Sequence, residues 1–231
     1  MPETKHASLP GKLLYNLREL LFIVGAVLII QVSLVQAYHV PTGSMERTVL
    51  TGDRVLVDKI TLGPRTWDWV GVPYTDIGFP IPPVKLPGLR DPQPGDIVVV
   101  RVPEDDRVPY FKRIVATGGQ TVEVRDKRVY VYGVRQTEIW GVQHLDRRTF
   151  PERFQQPDMA PGLGNRDNWG PFTVPEDQVF LMGDNRDMSL DSRYFGPVPE
   201  ENIIGTARMV YFSWNGETKL PRIDRIGKPV W

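Results

Sequence analysis

Residues 121–133, TVEVRDKRVYVYG, decide the fold class. Val122 and Val124 alternate with polar neighbours before Asp126 and Lys127, and Val129 and Val131 do the same after them. A period of two puts successive side chains on opposite faces, and two such runs around a polar two-residue break predict a β-hairpin. Similar short β-branched runs stand upstream: RVLVDKI at 54–60, DIVVVRV at 96–102 and YFKRIVA at 110–116. Strands at this spacing predict a mainly β domain, an antiparallel sheet folded into a barrel or sandwich. No stretch beyond residue 39 sustains a helical period.

Two long segments interrupt this pattern, 61–93 and 135–176. The first is rich in Pro and carries Trp67, Trp69, Tyr74 and Phe79. Loops of that length pack on their own side chains or serve a function. Here the aromatic residues suggest either a self-packed surface excursion or a platform at the membrane interface, where Trp and Tyr concentrate. Asp105 and Asp106 read as a solvated loop.

Composition narrows the partners. The 231 residues carry 28 Lys and Arg against 28 Asp and Glu, a formal charge of zero, which argues against a nucleic-acid partner that would need a basic face. With no Cys, a disulfide framework, a thiolate metal site and a cysteine nucleophile are all excluded. The 21 Gly and 22 Pro fit a turn-rich globular chain rather than a periodic one. Nothing points to a metal or an organic cofactor.

The N-terminus is of another kind. Residues 20–35 read LLFIVGAVLIIQVSLV, an uncharged run extending to Tyr38 that is just long enough to cross a bilayer. Two readings compete: an uncleaved anchor over 20–38, or a secretory signal cut after Ala37. The 19 residues of mixed charge ahead of the run favour the anchor. Lys5, Lys12 and Arg18 precede it and the next cation is Arg47, so the positive-inside bias puts residues 1–19 in the cytoplasm and 39–231 outside. At about 3.3 Å per extended residue, Ser44 would then lie within about 20 Å of the anchor's outer end.

Three stretches carry candidate chemistry. In VPTGSMERTVLTGDRVLVDK, 40–59, Ser44 follows Gly43 in a turn. In VPYFKRIVATGG, 108–119, strand alternation puts Lys112 on one face with Tyr110, Ile114 and Ala116. A lysine among apolar groups is desolvated, which lowers its pKa and suits it to act as a base, whereas an edge-strand lysine would instead reach out to water. In FLMGDNRDMSLDSRYFGPVP, 180–199, Asp184, Arg186, Asp191 and Arg193 crowd a turn beside Ser189 among apolar neighbours. Partly buried charges of this kind must be paired, and an Asp–Arg pair there would fix the loop. His39 and His144 have no carboxylate at telling spacing, which speaks against a Ser/His/Asp triad.

Taken together, these stretches resemble the type I signal peptidases, membrane serine proteases of the Ser/Lys dyad class. The resemblance spans about Leu20 to Val210, broken by the two long segments. GDNRDMSLDSRYFGPVP at 183–199 carries it most specifically, with PTGSM at 41–45, PGDIVVV at 94–100 and KRIVATGG at 112–119 in the expected order. It implies Ser44 as nucleophile and Lys112 as general base. It further implies an oxyanion hole from the Thr42 hydroxyl and the Ser44 N–H, Ser189 orienting the lysine, and a structural network of Asp184, Arg186, Asp191 and Arg193. Val40, Met45, Val49, Tyr110 and Phe111 match positions near the substrate pockets. The implied substrates are exported preproteins cut after an Ala-x-Ala site next to membrane lipid.

The sequence departs from the family at Arg47, at Gly119 and Gln120, and at Met188, none of which is a dyad position. Two other readings remain open on sequence alone. One is a membrane-tethered binding or scaffold domain, and the other is a self-cleaving Ser/Lys protease. Nothing in the sequence sets the oligomeric state.

Overall fold

The structure is a computed structural model that describes residues 9–64, 69–71, 78–80, 84–102, 105–138, 141–157, 159 and 163–231. Helix α1 (Leu9–Ser33) leads into β1 (Val35–His39) and β2 (Asp53–Asp58), followed by the short strands β3 (Trp69–Gly71) and β4 (Gly78–Pro80). Next come β5 (Ile97–Val102), β6 (Asp105–Thr117), β7 (Thr121–Arg125), β8 (Arg128–Val131) and β9 (Val134–Arg135). The chain ends with β10 (Trp169–Thr173), β11 (Gln178–Met182), α2 (Ser192–Phe195), β12 (Val198–Pro199), β13 (Ile203–Asn215) and β14 (Leu220–Pro221).

The predicted antiparallel β architecture is present. The main sheet has eight strands in the order β1-β2-β13-β5-β6-β11-β12, with β14 paired to β13. Among the described residues this is an open path with β1 and β12 as its edges, and it does not close into a barrel. Its centre is buried on both faces. Ile97 and Val99 of β5 enter one apolar cluster with Val55, Val57 and Phe111, while Val98, Val100 and Val102 enter another with Ile114, Val179 and Leu181. A strand covered on both sides needs a continuous apolar run, which is what IVVV at 97–100 supplies.

The hairpin at 121–133 forms as read. β7 pairs with β8 in register, and Asp126 and Lys127 take φ of 47° and 67°, the two left-handed residues that a type I′ turn requires. The hairpin belongs to a second, four-stranded sheet, β10-β7-β8-β9. Its apolar face packs with Trp169, Phe180 and Met182 in a third cluster.

Four expectations change. The apolar run does not continue as helix to Tyr38: α1 ends at Ser33, and Val35–His39 pair with Arg54–Asp58 as an edge strand. The alternation in VQAYH and the open edge of β2 outweigh further helix, and the bound on the distance from the helix end to Ser44 rises to about 36 Å. Among the described residues, no helix is long and apolar enough to cross a membrane. Asp105 and Asp106 open β6 instead of forming a loop, with Asp105 opposite Val102. Ala116 leaves the face shared by Tyr110 and Ile114 and joins the other cluster, because the pairing with β11 shifts between Phe180 and Leu181. Segment 135–176, read as an interruption of the strand pattern, supplies β10 to the second sheet near its end. Of the aromatic residues in 61–93, Trp67 and Tyr74 lie outside the described residues, and Trp69 and Phe79 have backbone places in β3 and β4.

Candidate active site

Ser44 sits in a single 3-10 turn, Gly43–Met45, within the loop that joins β1 to β2. Two backbone bonds close the base of that loop, Val40 N–H to Asp53 O and Gly52 N–H to Val40 O. Met45 and Val49, one helical turn apart, are both fully buried and anchor the loop in the core. Buried Asp53 accepts the Leu50 N–H and forms an ion pair with Arg225 at 2.7 Å, while Arg225 also donates to Thr48 O. The turn is therefore held at both ends by apolar anchors and by ionic hydrogen bonds.

Lys112 reaches this turn from β6, where it stands opposite Val98. Its Nζ lies 2.9 Å from Ser44 Oγ, and the side chain is 1% exposed. The Tyr110 ring is 5.3 Å from the ammonium position, so these two residues do share a face. Burial pushes the lysine down from 10.5 to about 8, because removal from water disfavours the charged form. The negative charges of Asp191 and Asp184 act the other way, and Arg193 reinforces the lowering. A buried lysine at hydrogen-bond distance from a serine has the geometry of a base poised on a nucleophile.

The Thr42 hydroxyl is 3.4 Å from Ser44 Oγ. Both residues line a cleft of about 110 Å³ with Val40, Pro41, Met45, Pro109, Tyr110 and Phe111. That volume is well below the ~300–1,000 Å³ of ordinary small-molecule pockets and suits short side chains. Four of the five expected wall residues are there. Val49, fully buried, is not among the lining residues.

The 183–193 loop packs behind the Ser44 turn, where the Asn185 N–H donates to Ser44 O. Asp191 accepts from Arg193 Nε and Nη2, both at 2.8 Å, and from the Gly183 N–H. Burial works to raise the Asp191 carboxyl, but Arg193 and these hydrogen bonds outweigh it and hold it below the ordinary range. Asp184 pairs with Arg113 through two bonds of 2.8 and 2.7 Å and accepts from the Thr48 hydroxyl at 2.5 Å. The expected network is thus present in part. Arg186 is buried, and its Nε and Nη1 have no partner among the described residues. Burial first and Arg193 second lower it to about 10. Ser189 is buried, and its hydroxyl likewise has no partner there, so it makes no hydrogen bond to Lys112. It packs against Gly183, where any Cβ would run into the Ser189 side chain and come within 2.5 Å of Ser44 O.

Several residues in this site had no signal in the sequence. Arg113 is the true partner of Asp184, and Thr48 joins the pair from 136 positions away. Asn185 donates its backbone N–H to Ser44 O and its side-chain amide to Gly43 O. Gln143 of the second long segment bonds through its backbone to Asp184 O and Arg186 N–H. His144 does have a carboxylate neighbour, Glu138 at 3.1 Å, but Ser44 Oγ bonds to Lys112 and Thr42.

A serine hydroxyl thus stands 2.9 Å from a buried lysine amine, beside a narrow apolar cleft on an antiparallel sheet, an arrangement that fits a serine hydrolase. Residues 13–214 match the family described as "Signal peptidase, peptidase S26". The chain belongs to that family. It is 32% identical to a signal peptidase I of Pseudomonas aeruginosa over 87% of this chain and 74% of that one. Similar proteins include signal peptidase I of Rickettsia typhi, 34% identical over 83% and 77%, and that of Aquifex aeolicus, 30% identical over 92% and 96%. A crystal structure of a signal peptidase I from Enterococcus faecalis is 30% identical, covering 52% of this chain and 98% of that one, at a TM-score of 0.38.

Proposed function

We propose that this protein removes N-terminal signal peptides from exported preproteins, with Ser44 as nucleophile and Lys112 as general base. The 2.9 Å approach of Lys112 Nζ to Ser44 Oγ in a buried setting carries this reading. Neutral Lys112 takes the hydroxyl proton as Ser44 Oγ bonds to the scissile carbonyl carbon. The oxygen that gains the electron pair is held by the Ser44 N–H and the Thr42 hydroxyl. Protonated Lys112 then gives its proton to the departing amine as the C–N bond breaks, leaving an acyl-enzyme on Ser44. Water attacks the ester with Lys112 again taking the proton, and Ser44 regains its hydrogen when the ester bond breaks.

The small cleft beside Ser44 supports a preference for small residues at the first and third positions before the cut, the Ala-x-Ala pattern. The Asp191–Arg193 and Asp184–Arg113 pairs brace the 183–193 loop, which also carries buried Arg186 and Ser189. The apolar run that begins at Leu20, with cations on its N-terminal side, supports attachment to the plasma membrane and a catalytic domain on the outer side. Signal peptides are cut just beyond their own apolar segments, so a tethered site meets the bond where the substrate leaves the bilayer.

The test is cleavage of a purified precursor with an Ala-x-Ala site, in detergent, with product mass fixing the cut. Ser44→Ala and Lys112→Ala should each lose at least about 10⁴-fold in kcat. Equal cutting by both variants and the parent would sink the dyad. Cutting by the parent at some other position would sink the substrate assignment.

A further inference from the structure

We infer that Asn185 is a positioning residue that aims the Ser44 N–H at the developing oxyanion; the inference rests on the dyad reading above. Asn185 is 1% exposed and touches the nucleophile turn through three bonds. Its backbone N–H donates to Ser44 O at 3.0 Å. Its Nδ2 donates to Gly43 O at 3.1 Å and to Glu46 Oε2 at 3.3 Å. The amide planes on both sides of Ser44 are thus tied to one residue.

The Gly43–Ser44 link gives this clamp its consequence. The C=O of Gly43 and the N–H of Ser44 belong to one planar trans amide and point in opposite directions. A bond that fixes the carbonyl therefore fixes where the N–H points. Gly43 has no Cβ to restrict its backbone, so the plane's direction must come from partners outside it. Gly43 O has two, the Glu46 N–H within the turn and Asn185 Nδ2 from across the site.

Asn185 is itself anchored. Asp184 beside it is bonded by Arg113 and Thr48, and Gln143 forms a parallel bridge with it. The Asn185 Oδ1 is buried without a partner among the described residues, so only the donor end of the amide is used. A carboxylate of the same shape would turn an oxygen toward Gly43 O and the Glu46 carboxylate.

The experiment uses the full chain in detergent with an Ala-x-Ala precursor peptide, comparing Asn185→Ala, Asn185→Asp, Glu46→Ala and Ser44→Ala. A peptide boronic acid of the same sequence reports on the hole, since its tetrahedral adduct on Ser44 places an oxygen there. Asn185→Ala should lose about 10- to 100-fold in kcat with KM changed less than about threefold, and should weaken boronate inhibition by a similar factor. The midpoint of its pH profile should stay in place because Lys112 is untouched. Asn185→Asp, which keeps the packing volume, should lose more, and Glu46→Ala should stay within about threefold of the parent. Unchanged kcat in either Asn185 variant, a loss confined to KM, or an equal loss in Glu46→Ala would each overturn the assignment. Activity retained by Ser44→Ala would instead remove the dyad reading beneath it.

Discussion

Two adjacent cations of β6 are buried almost equally and treated oppositely. Arg113 faces Asp184 through two charge-assisted bonds and adds a third to Gly95 O. Among the described residues Lys112 is offered no carboxylate at bonding distance; its close partner is the neutral hydroxyl of Ser44. A guanidinium paired in this way serves as structure. An ammonium without a counter-ion is held near the point of losing its proton and is available for chemistry. What separates the two roles is whether a buried partner was supplied, with residue type second.

That contrast can be broken at the paired side first. Arg113→Met should destabilise the protein by about 3–5 kcal/mol, because Asp184 would stay buried without its counter-ion. Chemical denaturation should show it, and a loss below about 1 kcal/mol would mean that the pair is not what holds the loop.

The same substitution on the unpaired side should have the opposite sign. Lowering Lys112 from 10.5 to about 8 costs the folded protein about 3 kcal/mol near neutral pH, so Lys112→Met should abolish cleavage yet raise stability by up to that amount. In the parent, the unfolded chain binds more protons than the folded one between about 8 and 10.5, so stability from this group should rise with pH across that window. A Lys112→Met variant less stable than the parent at pH 7 would show that the lysine contributes packing or bonding that outweighs its desolvation.

The smallest effect sharpens the comparison by titration. With neutral Lys112 as the proposed base, kcat/KM should climb about tenfold per pH unit below 8 and level off above it. A profile flat from about pH 6.5 to 9 would mean that Lys112 is already neutral or is not the base.

The sequence reveals Lys112 more readily than Arg113, and the reason is physical. Lysine's place among Tyr110, Phe111 and Ile114 is a local pattern visible within one strand. Arg113's partner is 71 positions away, and no local pattern specifies a pairing at that distance. The hairpin at 121–133 is legible because its turn and both strands are contiguous. Strand β10 is not, since Gly170 and Pro171 interrupt any alternation; the strand tolerates them because it lies at a sheet edge and bulges between Trp169 and Phe172. The end of the apolar run is misread because VQAYH carries both signals, and pairing with β2 decides between them. Asn185 escapes notice for a similar reason: its importance lies in which carbonyls it touches, and both belong to a turn 142 positions earlier.

The ion pair of Asp53 with Arg225 ties the nucleophile loop to a residue 172 positions downstream. During synthesis, the loop bearing Ser44 emerges from the ribosome long before the side chain that braces it. The loop and its brace thus come together only after 172 further positions have been added. Until translation has passed residue 225, the loop that carries Ser44 lacks the ion pair that braces it in the folded protein.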